Sequence, residues 1–134
     1  MFGRSNKNTI DSLIGSSTRI EGNIHFKGGL RIDGHITGNV IGDAGEVNML
    51  VISEQARIEG EVRGAHLVVN GEIIGPVYST ELLELQPKAR IRGDVCYKTL
   101  EMHGGALVAG KLTHEQEQVL EPVLKLAASS GNKA

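Results

Sequence analysis

The stretch Arg57-Ile58-Glu59-Gly60-Glu61-Val62 decides how this chain folds, because its opening phrase keeps returning. It stands also as Arg19-Ile20-Glu21-Gly22, Arg31-Ile32-Asp33-Gly34 and Arg90-Ile91-Arg92-Gly93. A looser form, apolar-x-Gly-x-apolar, occurs at 36–40, 69–73, 73–77 and 108–112. In a strand, successive side chains face opposite ways. Ile20 and Ile24 can therefore both face inward while Arg19, Glu21 and Asn23 face water. Gly22 lies between them, where the backbone must bend and a Cβ would crowd the corner.

The spacing has a higher order. Phrases start at Ile20, Ile32 and Ile36, then at Ile58, Val69 and Ile73, then at Ile91, Met102 and Val108, with Met102-His103-Gly104 as a degenerate copy. These three blocks are offset by 38 and 33 residues (58 − 20 and 91 − 58). Each block predicts two coils of about 17 residues, and each coil three short strands. One coil cannot bury its inward face alone. Coils stacked ~4.8 Å apart pair their backbones and align their isoleucines into one core. The expectation is an all-β parallel β-helix of five to six coils, a rod ~25 Å long. A rival register exists, since Ile14, Ile20, Phe26 and Ile32 stand six apart as in the hexapeptide helix of many acyltransferases. It breaks at the next two positions, Gly38 and Ala44.

Composition agrees with the longer coil. Ile, Val and Leu supply 36 of 134 residues, against two Phe, two Tyr and no Trp. Such a core is filled by layers of small aliphatic side chains, which favour strands. The 18 glycines come with only three prolines, so they read as corners between strands. A net charge of −2 gives no basic face for nucleic acid. A lone cysteine, Cys96, makes no internal disulfide, and metal-ligand spacings are missing. With no apolar leader and no 20-residue apolar span, the expected compartment is the reducing cytoplasm.

The ends carry no repeat. Residues 1–13 read as a flexible tail whose Phe2, Arg4 and Lys7 suit a membrane surface. Burying Phe2 contributes ~2–3 kcal/mol and each basic residue ~1 kcal/mol. A single subunit would hold poorly by this means, whereas many linked copies would hold well through avidity. The repeat occupies 14–112. From 113 to 134, Thr113-His114-Glu115-Gln116 fits a helix-opening capping box, followed by Leu120, Val123, Leu124 and Leu126 at partly helical spacing and a disordered end. That amphipathic piece suits a cap on the last coil.

No catalytic constellation emerges. Gly105 to Gly110-Lys111 imitates a phosphate-binding loop, but Leu112 stands where Ser or Thr must hold Mg²⁺. His25, His35, His66, His103 and His114 are scattered, and Cys96 lacks the histidine that activates a thiol. The expectation is a protein that is not an enzyme and takes no cofactor, nucleotide or metal. A stacked solenoid does carry one chemical liability: its end coils expose unpaired backbone groups and a section of apolar core. Stacking on a second copy removes it, and contacts between like ends give a non-polar filament.

The Ile-x-Gly-x-Ile/Val phrases, the segment Leu67-Val68-Val69-Asn70-Gly71-Glu72-Ile73 and the Met1-Phe2-Gly3-Arg4 start resemble the bactofilins, bacterial polymer-forming proteins. The resemblance covers about residues 1–112. It implies a single-stranded right-handed β-helix, nucleotide-independent filaments and peripheral attachment to the inner face of the cytoplasmic membrane. Phe2 would then be the anchor, supported by Arg4 and Lys7. It further implies scaffolding of cell-wall synthases or hydrolases and a role in cell shape. Members of the family often place a Phe in the last coil for polymer contacts, and here no Phe follows Phe26. Leu107, Val108 and Leu112 are the expected replacements at that end, with Ile14 and Ile20 at the other. The alternative expectation is a hexapeptide-type acyltransferase, which would form a discrete trimer.

Overall fold

The computed structural model describes residues 9–45 and 47–115, and all structural statements below concern these residues. Aliphatic residues at alternate positions, broken every few residues by glycine or a turn, give sixteen short strands and no helix. They wind through six coils of three faces. Coil one holds β1 (Ser12–Ile14), β2 (Arg19–Glu21) and β3 (Ile24–Phe26). Coil two holds β4 (Gly29–Ile32), β5 (His35–Thr37) and β6 (Val40–Gly42). Coil three runs through β7 (Met49–Ile52), β8 (Arg57–Glu59) and the first half of β9 (Val62–Val69). Coil four uses the rest of β9, β10 (Glu72–Ile74) and the start of β11 (Val77–Leu85). Coil five takes the rest of β11, β12 (Arg90–Arg92) and β13 (Val95–Tyr97). Coil six closes the described chain with β14 (Thr99–Met102), β15 (Leu107–Ala109) and β16 (Leu112–His114).

Every strand pair is parallel and joins adjacent coils. One face is the sheet β2-β5-β8-β10-β12-β15. Its central residues, Ile20, Ile36, Ile58, Ile73, Ile91 and Val108, stack in register. These head six of the glycine phrases, so one column accounts for most of the repeat. Ile32, Val69 and Met102, which head the others, share a column on the neighbouring face with Ile14, Ile52 and Leu85. The third face stacks Ile24, Val40, Val62, Val77, Val95 and Leu112. These columns form the core, and Ile52, Ile58, Val62, Val69, Ile73 and Val77 have no exposed surface at all.

The predicted β-helix is therefore the fold. The hexapeptide register is not: the central column advances by 16, 22, 15, 18 and 17 residues per coil, where a six-residue repeat demands a constant step. Corners absorb the variation. One corner is a column of single glycines, Gly22, Gly38, Gly60, Gly75, Gly93 and Gly110, all with φ between 138° and 159°. A Cβ on Gly60 would lie 2.0 Å from the Gly38 carbonyl oxygen, so no other residue fits beneath the next coil. A second corner alternates between a two-residue form (Asp33-Gly34, Asn70-Gly71) and four-residue turns closed by bonds such as Ala56 N–H to Ser53 O. This alternation produces the two-coil blocks. In coil six, His103 and Ala106 close another four-residue turn, so Met102-His103-Gly104 is not a degenerate phrase.

The third corner is nearly seamless in β9 and β11 and widest between β6 and β7. There Asn48, 2% exposed, substitutes for missing backbone partners. Its Nδ2 donates to the Asp43 carbonyl at 3.1 Å and its Oδ1 accepts from Ala65 N–H at 2.8 Å.

Two boundaries shift. The strands span 12–114 rather than 14–112. Thr113 and His114, expected to open a helix, are the last residues of β16, held because Val95, Cys96 and Tyr97 offer them a strand to pair with. The remainder of the expected helix and tail, and Phe2, Arg4 and Lys7, lie outside the described residues.

Candidate functional site at the open ends

The solenoid has two ends and no lid on either among the described residues. At the first, β1, β2 and β3 pair only toward coil two. At the last, β14, β15 and β16 pair only back toward coil five. Each end thus presents free N–H and C=O groups on three sides of a section of aliphatic core. Ile14, Ile20 and Ile24 pack on the core from the first coil but are only partly covered; Leu100 and Val108 do the same from the last. Met102 (45% exposed) and Leu112 (42%) are inward-column residues that interior coils bury completely.

Of the expected contact residues, Ile14 and Ile20 lie on the first end and Val108 and Leu112 on the last. Leu107 differs. Its column is Arg19, His35, Arg57, Glu72 and Arg90, the outward row, and it stands 63% exposed on the flank of coil six. Alternation about inward Val108 sends its neighbour outward. Ile24, Leu100 and Met102 complete the ends and are not among the contact residues expected from the sequence. The columns that expose them need the register, which the variable corners conceal.

The flanks carry no reaction centre. Outward rows are mixed charge: Arg57 pairs with Glu59 at 3.0 Å and with Glu72 of the next coil at 2.9 Å. Arg63 lies over the Tyr78 ring, 4.1 Å from its centre. The histidines do not converge. His25 and His35 are exposed, and His114 lies 5.6 Å from the Tyr97 ring. His103 alone meets carboxylates, at 3.7 Å from Glu84 and 3.9 Å from Glu101. These three could hold a divalent cation, but His103 and Glu101 are open to water and Glu84 is only half-buried. Cys96 faces outward and its thiol donates to Glu115 at 3.1 Å. Burial, then that carboxylate, pushes the thiol pKa up, the wrong direction for a nucleophile. Gly110 is a corner glycine and Gly105 lies in the turn after β14, so the phosphate-loop likeness dissolves into the repeat. No helix among the described residues is long and apolar enough to cross a membrane.

A site made of two unfinished sheet ends is a site for another copy. The family model for bactofilin, described as polymer-forming cytoskeletal, matches residues 12–113, the whole solenoid short of one residue. The chain belongs to the bactofilin family. A cryo-EM reconstruction of Thermus thermophilus bactofilin double helical filaments superposes on this bactofilin with a TM-score of 0.67 at 26% identity. The match covers 78% of this chain and 99% of that one. Among curated proteins, none matches. This bactofilin is a polymer-forming cytoskeletal protein of β-solenoid fold, and its family is structural rather than enzymatic.

Proposed function

We propose that this bactofilin assembles end to end, without nucleotide, into non-polar filaments on the inner face of the cytoplasmic membrane, where it positions cell-wall synthases or hydrolases. The observation that carries the reading is the pair of open ends: only another solenoid end supplies both backbone partners for three strands and an apolar surface for the core section.

Non-polarity is supported by the sequence of the end strands. In an antiparallel pairing about Ile20, β2 of one subunit sets Arg19 against Glu21 of the next, and Glu21 against Arg19. The charges complement themselves. At the other end, β15 is Leu107-Val108-Ala109 and matches itself as an apolar strand. A head-to-tail stack continues the column instead, and places Arg19 and Glu21 against Leu107 and Ala109. Two-fold contacts at both ends thus suit these strands better. Membrane attachment rests on Phe2, Arg4 and Lys7, each contributing weakly, multiplied along a filament. Recruitment of wall enzymes follows the resemblance alone.

The test is negative-stain electron microscopy with sedimentation of the purified protein, nucleotide omitted. Thin filaments that pellet are expected, and they should bind anionic liposomes until residues 2–7 are deleted. A discrete monomer or trimer at all salt and protein concentrations refutes the polymer.

A further inference from the structure

One flank departs from the mixed-charge outer rows. On the face built from β1, β4, β7, the later halves of β9 and β11, and β14, the central strands are apolar outside as well as inside. β7 reads Met49-Leu50-Val51-Ile52, and β9 ends His66-Leu67-Val68-Val69. Leu50, Ile52, Leu67 and Val69 are wholly buried in the core, so Met49, Val51, His66 and Val68 between them face outward. Val51 stacks on Val68, and the row beside them is Met49, His66 and Leu82. Within the strands of the other two faces, no two consecutive coils carry an outward aliphatic side chain. A parallel sheet of uninterrupted apolar strands is ordinarily covered on both sides. Here the core covers one side, and the outward residues keep part of their surface in water.

The two borders of this patch are oppositely charged. The row through Val51 and Val68 continues to Arg31 on coil two and to Glu84 on coil five. Arg31 Nε donates to Asp33 at 2.9 Å, which leaves its terminal nitrogens for a second carboxylate. If one copy is turned end for end and laid face to face on another, coil three lies over coil four and coil two over coil five. Val51 then meets Val68 twice, and Arg31 meets Glu84 twice, as a two-fold contact requires. Two rods pointing the same way lose the match, because their two-fold axis sets Arg31 against Gly29 and Glu84 against Leu82. The outermost positions of the row, Leu13 and Glu101, meet at the rim, where both are exposed.

We propose that this face is a lateral contact between two copies of the chain, running antiparallel and packed about Val51 and Val68, so that filaments associate in pairs. The whole face, six coils by one strand, offers ~350 Å². That is well under the ~800 Å² per partner of a stable interface, so two lone subunits hold poorly by it. Two filaments repeat the contact at every subunit and hold well. The inference therefore rests on the end-to-end reading: growth comes first, and lateral pairing follows from it.

The experiment measures mass per length of filaments by scanning transmission electron microscopy, for the full-length protein and its Val68→Lys variant. The variant should still form filaments, at half the mass per length of the parent. Arg31→Glu should separate the pairs as well, and Arg31→Glu/Glu84→Arg should restore them. Single filaments from the parent chain, or undiminished mass in Val68→Lys, overturn the proposal and leave the end-to-end reading standing. So do single parent filaments whose binding to anionic liposomes falls with Val68→Lys, which would give the face to a membrane. A readout independent of polymerisation mixes two full-length Cys96→Ser chains, one with Arg31→Cys and one with Glu84→Cys, and adds a short bismaleimide. These positions face each other in the lateral contact and stand at least three coils, ~14 Å, apart in any end-to-end stack. Where nothing pellets at any concentration, the end-to-end reading has failed and the cross-link alone decides: a dimer formed only in the mixture keeps the face as a contact between copies, and its absence removes it.

Discussion

Coils four and six are made from the same columns of the same kinds of residue, yet only one of them is finished. Val69, Ile73 and Val77 in coil four show no surface to water, while their register mates Met102, Val108 and Leu112 in coil six all do. Nothing in the two coils' own sequence produces that contrast. A three-sided coil of three-residue strands has too little interior to bury anything by itself, and coverage comes from the layers above and below. End residues are core residues lacking a layer. On the proposed end-to-end stacking, stability and assembly are the same interaction, counted inside a subunit or between two.

Glycine gives the sharpest way to break this comparison. Gly60 and Gly22 share the same corner and nearly the same φ, but a Cβ on Gly60 strikes the Gly38 carbonyl whereas one on Gly22 meets nothing within 4 Å. Gly60→Ala should prevent folding, costing well over ~3 kcal/mol, and Gly22→Ala should cost only the ~1–3 kcal/mol of an unfavourable φ. Denaturant melts of unassembled subunits measure the difference. In the proposed end-to-end filament a Cβ at position 22 would point into the neighbouring subunit, so this mild variant should still fail to assemble through its first coil. Equal melts for both variants would show that stacking is not what the corner requires.

The aliphatic columns sharpen it. Ile58→Ala removes a wholly buried side chain and should cost ~2–5 kcal/mol. Leu112→Asp, on the open face, should leave the melt within ~1 kcal/mol and abolish pelleting. If Leu112→Asp melts as badly as Ile58→Ala, coil six is interior in the working subunit. The smallest expected effect lies on the charged rim. Glu21→Arg should raise the concentration needed for filaments, modestly and less so at high salt, because Arg19 and Glu21 are about 70% exposed. The swap Arg19→Glu/Glu21→Arg restores complementarity only if β2 meets its own copy. A swap that assembles no better than the single variant rules out the two-fold contact.

Much of this was legible beforehand, and for a definite reason. At the glycine corner an added Cβ would lie 2.0–2.4 Å from the carbonyl oxygen of the preceding coil, so the chain must repeat one residue type at one offset from an inward aliphatic, and such a pattern can be read in a line. The strands around Ile20, Ile58 and Ile91 follow from it. Unconstrained corners leave no such trace. The loop 43–48 takes extra residues because Asn48 can stand in for lost backbone partners, and β9 and β11 pass the same corner without stopping. Register along the other two faces was thereby hidden, and with it the exposure of Met102. Leu107 stands on the outward row of the end coil, which the sequence conceals because a run of aliphatics, Leu107 and Val108, does not announce which member faces in.

The direction of the hydrogen bonds has a mechanical consequence. In all three faces they run from coil to coil, along the rod. Tension applied along a filament of such rods pulls every ladder lengthwise at once. Within a subunit the load is shared with the covalent chain as it passes from each coil to the next. At an end-to-end junction between subunits, as proposed above, no covalent path would exist, so a stretched filament is expected to part there and return intact, reusable pieces.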